Sequence, residues 1–125
     1  MEEILYSKEH YWVEIDNDIA TIGMTPALID YLGNISYIEL NSIGSICNKT
    51  DIIGTIYSDS EEIHINSLFT GEIVETNDLI LEEAENISAT SKEYNWLYKI
   101  FLNNKNEAED LITEEEYEDF VEKNL

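Results

Sequence analysis

The chain of 125 residues is long enough for one domain, residues 1–125, with its own core. Twenty-eight acidic residues against 6 basic ones, all of them lysine, give a formal net charge of −22, a field that repels phosphate and excludes nucleic acid and anionic membrane surfaces as partners. Hydrophobic residues make up 43% of the chain, enough for an ordinary core, yet no apolar run reaches membrane-span length and residues 1–10 lack a basic-then-apolar leader, so a cytoplasmic domain is expected.

Tyr11 to Ile15 and Ile19 to Gly23 read as strands of a hairpin turning at Asp16-Asn17-Asp18. Thr25-Pro26 supplies an N-cap and a proline at the first helical position. Two turns follow, through Ala27, Leu28, Ile29, Tyr31 and Leu32, and Gly33 stops them. Ile35 to Leu40 reads as a strand covered on both sides, with Ile38 and Leu40 on one face and Ile35 and Tyr37 on the other.

The middle of the chain contains a repeat. Gly-Ser-Ile-Cys-Asn-Lys-Thr-Asp-Ile-Ile at 44–53 matches Gly-Glu-Ile-Val-Glu-Thr-Asn-Asp-Leu-Ile at 71–80. Each copy reads as a β-turn-β unit, which predicts a quasi-symmetric sandwich or flattened barrel because neither copy can bury its face alone. Between the copies, Ser58, Asp59, Ser60, Glu61 and Glu62 are polar and flanked by apolar residues, the pattern of a hairpin tip in solvent.

Beyond Asn77-Asp78 the chain is acidic and irregular until the strand Asn95 to Leu102. The tail opens with a capping box, Thr113 with Glu116, and Ile112 and Tyr117 are spaced for a hydrophobic staple across it. Tyr117, Phe120, Val121 and Leu125 then form the apolar face of an amphipathic helix, opposite Glu118, Asp119 and Glu122.

Signals for catalysis are weak. Carboxylates are so abundant that no pair stands out as a general acid and base. His10 and His64 lack zinc-helix spacing, and no acidic run follows a calcium-loop pattern, so no metal is expected. The single cysteine, Cys47, sits in a strand-like run and reads as a buried, inert thiol. Trp12 and Trp96 read as core or core-rim aromatics.

The residues Tyr6-Ser7-Lys8-Glu9-His10-Tyr11-Trp12-Val13 resemble the opening of the glycine cleavage system H protein family. The resemblance continues in Ile19 to Thr25 with the helix ending at Leu32-Gly33, in Tyr37-Ile38-Glu39-Leu40, and in Ser67 to Val74 followed by Asn77-Asp78. Trp96 to Ile100 and the terminal helix complete it, so that it covers nearly the whole chain; Asn41 stands where the family usually has proline. It implies a mainly β, lipoyl-type barrel-sandwich hybrid of two small antiparallel sheets, with a short helix in the N-terminal half and an amphipathic helix at the C-terminus. It also implies a non-catalytic carrier, which holds lipoate on a hairpin lysine and shuttles an aminomethyl group between enzymes.

The resemblance places that lysine eleven positions before the glycine matching Gly71, where this chain has Ser60. No lysine occurs from Thr50 to Ser91, and a serine hydroxyl lacks both the amine and the four-carbon stem of a lipoyl acceptor. The family's His-Glu-Trp is His10-Tyr11-Trp12, and its aspartate four residues after the lysine is His64. Two family positions of the cleft that receives the loaded arm have thus lost their carboxylates, although Tyr11 and His64 read equally well as surface positions free to vary.

The leading expectation is a degenerate family member without lipoate, a docking or regulatory protein for glycine-cleavage or lipoate-handling enzymes. The alternatives are a working aminomethyl carrier lipoylated on another lysine, and a stand-alone ligand-binding or enzymatic domain using Tyr57, Ser58, Ser60 and His64.

Overall fold

A computed structural model describes residues 3–123. Among these residues, nine strands form two antiparallel sheets. The larger contains β1 (Glu3–Tyr6), β2 (Tyr11–Asp16), β3 (Ile19–Met24), β5 (Ile46–Cys47), β8 (Gly71–Thr76) and β9 (Trp96–Leu102), in the order β1-β2-β3-β9-β8-β5. The smaller contains β4 (Ile35–Leu40), β6 (Ile52–Ser58) and β7 (Glu62–Asn66), with β6 central. Three α-helices accompany them among the described residues, α1 (Pro26–Leu32), α2 (Asp78–Glu82) and α3 (Glu114–Lys123). None of the described helices is long and apolar enough to cross a membrane.

Apolar side chains of both sheets meet in one core. Val13, Ala20, Ile22, Ile73 and Ile100 of the large sheet join Ile38, Ile53, Ile56 and Ile65 of the small one, with Phe69 from the loop before β8. Burying each of the larger side chains contributes about 1.5–3 kcal/mol. The chain can run this close at Gly71 only because it has no side chain there: a Cβ would collide with the Phe101 carbonyl oxygen across the β8–β9 ladder.

The helix ends follow the sequence. Thr25 Oγ1 accepts from Leu28 N at 3.3 Å, Pro26 opens α1, and Gly33 ends it at φ 72°, a left-handed conformation open to glycine. In the capping box of α3, Glu116 N donates to Thr113 Oγ1 at 3.2 Å and Thr113 N donates to Glu116 Oε1 at 3.0 Å.

Several expectations are corrected. The strand β1 has no counterpart in the sequence reading; it forms because its edge pairs with β2, and Tyr6 also exchanges backbone hydrogen bonds with Ile112. The second repeat copy is not β-turn-β. In the first copy, Asp51 accepts from Asn48 N and the chain turns into β6. In the second, Asn77 accepts from Leu79 N and starts α2, so Asp78-Leu79-Ile80 are helical rather than part of an irregular loop. The two Gly-x-Ile segments instead pair with each other, Cys47 opposite Gly71 and Ile46 opposite Glu72.

In β4 a register shift between Ile35 and Tyr37 turns Ile35 inward with Ile38 and leaves Tyr37 outside. Tyr117 stacks on Tyr6, with ring centroids 4.7 Å apart. Phe120 and Val121 are half-buried, while Leu125 lies outside the described residues.

Candidate functional site

The β6–β7 hairpin carries Ser60 at the middle of a three-residue tip, Asp59-Ser60-Glu61, which is exposed throughout. The tip is built from the residues around it. Ser58 N donates to Glu61 O at 2.8 Å, and Ser58 Oγ accepts from Glu61 N at 3.2 Å, closing a tight turn. It is also tied to the end of α1 and to Asn34 just beyond it. Asp59 N donates to Asn34 O, Asn34 Nδ2 donates to Asp59 Oδ2 at 3.0 Å, and the Tyr31 hydroxyl donates to Glu61 Oε2 at 3.1 Å. The hydrogen bond to Glu61, and then its charge, hold the Tyr31 phenol above its ordinary pKa. The apex is thus a braced, solvent-facing point.

Chemically, that point offers a hydroxyl whose nearest side-chain partner is Ser58 Oγ at 3.4 Å. His64 lies on β7 with its Nδ1 3.4 Å from Thr55 Oγ1, its one hydrogen-bonding side-chain neighbour among the described residues. No hydrogen bond joins Ser60 to His64 among the described residues, so the two are not arranged as a nucleophile and its base.

Tyr11 is not a surface position. It is 4% exposed, part of the core, and its phenol is pushed up in pKa by burial and secondarily by Glu9. The structure brings Ser60 and His64 to the same hairpin and leaves Tyr11 in the interior of the other sheet. Cys47 is buried and free, with Sγ 3.3 Å from Ser67 Oγ. Trp12 is buried and donates from Nε1 to Asn95 Oδ1 at 3.0 Å. No cluster of three or more potential metal ligands occurs among the described residues.

Two features escaped the sequence reading. One is the outer face of the small sheet, where Tyr37 and Tyr57 are cross-strand partners with ring centroids 5.8 Å apart. The register shift that exposes Tyr37 carries no local sequence mark; only the pairing of β4 with β6 reveals it. The other is a contact between chain ends. The Tyr117 hydroxyl lies 2.7 Å from His10 Nδ1 and 3.0 Å from Thr25 Oγ1. A positive φ of 76° at His10 accompanies it, and no residue pattern announces that either.

The family model described as "Glycine cleavage H-protein" matches residues 4–124. The glycine cleavage system H protein of Trichormus variabilis is 33% identical over 121 residues, covering 97% of this chain and 93% of the relative. That of Thermotoga maritima is 31% identical over 115 residues, covering 92% and 93%. Among solved structures, a glycine cleavage system H protein from Mycobacterium marinum superposes with a TM-score of 0.82 over 98% of each chain at 20% identity, a likeness of fold.

Proposed function

The chain belongs to the glycine cleavage H-protein family, and from this premise we propose that it retains the carrier fold without the carrier chemistry. Ser60 stands at the apex where the family presents its lipoyl lysine, and the protein acts by docking onto glycine-cleavage or lipoate-handling enzymes. One observation carries the reading: the braced tip ends in a short alcohol. Attachment of lipoate needs an amine on a flexible stem, so the residues at the tip do not fit the group. Lys49, the nearest lysine before the hairpin, is paired with Asp110, and Lys92, the nearest after it, is paired with Glu14. Neither is displayed on a hairpin tip.

A docking role also suits the charge. A −22 chain is steered toward a basic groove on a partner, with an association rate that falls as salt rises. The discriminating experiment is intact mass spectrometry after co-expression with a lipoate ligase. The polypeptide mass alone is expected, and Ser60→Lys is expected to gain one lipoyl group because the tip retains its brace. A lipoyl adduct on the unmodified sequence would establish the working carrier, modified at another lysine, in place of this reading.

A further inference from the structure

The outer face of the small sheet carries an arrangement that neither the core nor the tip requires. Tyr37, Tyr57 and Glu62 form one cross-strand row, and Glu39, Thr55 and His64 form the next. Directly paired residues share a face, with neighbouring Cβ atoms about 4.5–5.5 Å apart; on this one Tyr57 is half-buried and Thr55 is buried among its neighbours. Tyr37 is 51% exposed, and Glu39, Glu62 and His64 are exposed beside it. The two tyrosine rings lie at 33° to one another, forming a shallow aromatic platform between carboxylates.

The charges on this face are not met from within the described chain. Lys49, Lys92, Lys99, Lys105 and Lys123 pair with Asp110, Glu14, Glu75, Asp18 and Asp119, and Lys8 lies over the Phe120 ring. Glu39 and Glu62 have no lysine partner among the described residues. A second copy of the chain is a poor occupant, because it would bring another −22 against this face.

A planar cation fits it. A guanidinium can stack on a tyrosine ring while its fork of N–H donors reaches the flanking carboxylates, whereas an ammonium is a compact, strongly hydrated point charge that does the first poorly and the second one bond at a time. Tyrosine pairs are also frequent anchors at protein interfaces. We propose that this face, built on Tyr37, Tyr57, Glu39 and Glu62, docks an arginine-bearing segment of a protein partner. The proposal rests on the docking reading above and names the chemistry of the partner.

The test is a titration of the isotopically labelled full chain, followed by amide NMR shifts. Three short capped peptides, each with two arginines, two lysines or two citrullines at matched positions, serve as probes. The arginine peptide is expected to shift amides on β4, β6 and β7 and to bind about three- to ten-fold tighter than the lysine peptide, with the neutral citrulline peptide silent. Tyr37→Ala and Glu62→Gln, both exposed and outside the core, are each expected to weaken binding by a similar factor, while Asp119→Asn on α3 is expected to leave it unchanged. Equal binding of the lysine peptide, shifts spread over α3 and the acidic loops, concentration-dependent self-association through this face, or no shifts at millimolar peptide would each overturn the proposal. Because the mass assay reads lipoylation and this titration reads arginine recognition, either can fail while the other stands.

Discussion

His10 and Tyr117, 107 positions apart, are joined by a hydrogen bond of 2.7 Å between imidazole Nδ1 and phenol oxygen. The direction of that bond follows from its neighbours. Thr25 gives its single hydroxyl proton to the His10 carbonyl at 2.8 Å, so toward Tyr117, 3.0 Å away, it can only accept. The Tyr117 phenol proton is then used on Thr25, and His10 must donate from a protonated Nδ1. One chain of donors thus links the His10 backbone, the cap of α1 and the terminal helix α3.

Tyr117→Phe removes both bonds of the phenol and keeps the stack on Tyr6. A loss of about 1–3 kcal/mol in urea unfolding is expected, since it strips partners from His10 and Thr25. At His10 the backbone adds a second effect, because φ is 76°. His10→Gly relieves that conformation whereas His10→Ala keeps it, so the glycine variant is expected to be more stable than the alanine variant by about 1 kcal/mol.

Alkaline pH is expected to unfold the protein through its buried phenols. Burial raises the pKa of Tyr11, Tyr98 and, to a lesser extent, Tyr117 above the ordinary value of 10.0. In each case the folded pKa exceeds the unfolded one, so the stabilisation is fully present below pH 10 and is lost as pH rises toward the folded value. Stability should fall by up to about 1.4 kcal/mol per pH unit for each of Tyr11 and Tyr98, with a smaller share from Tyr117. Unfolding midpoints measured from pH 8 to 11 check this; a flat profile above pH 10 contradicts it.

Acid should loosen α3 first. The backbone hydrogen bond from Thr113, and then the one from its side chain, lower the Glu116 pKa below its usual 4.5. The cap's contribution is therefore complete above that value and is lost as pH falls through the lowered one. Amide exchange in residues 114–117 is expected to accelerate as pH falls below the ordinary glutamate range, and Glu116→Gln is expected to flatten that response because glutamine can still close a capping box.

Gly71→Ala places a methyl group against the Phe101 carbonyl oxygen, a backbone atom that cannot swing aside. The ladder between β8 and β9 must separate there, and a loss of about 3 kcal/mol or more, or failure to fold, is expected. Ser60→Ala at the exposed tip is expected to stay within about 0.5 kcal/mol of the parent. Thermal unfolding of the two variants side by side checks both.

What could be read from the residues was whatever short-range chemistry dictates. Thr25-Pro26 with Gly33 marked α1, Thr113 with Glu116 marked the start of α3, and the polar run around Ser60 marked the hairpin tip. What could not be read depended on partners distant in the chain. The strand β1 exists through β2 and Ile112, and Tyr37 faces outward because of a shift against β6. The two repeat copies share a composition, yet one turns into a strand and the other into a helix, because Asn77 is held by Leu97, Glu93 and Trp96 while Asp51 is held by Asn48 and Ser67. Only the family resemblance proposes Ser60 as the lysine position, and Tyr11, expected at a cleft or surface position, is buried in the core.

The most direct measurement is the intact mass of the protein isolated from the cells that make it, followed by peptide mapping of all six lysines. The bare polypeptide mass and six unmodified lysines are expected. A lipoyl group on any one of them would contradict that expectation and restore the protein to service as a working carrier.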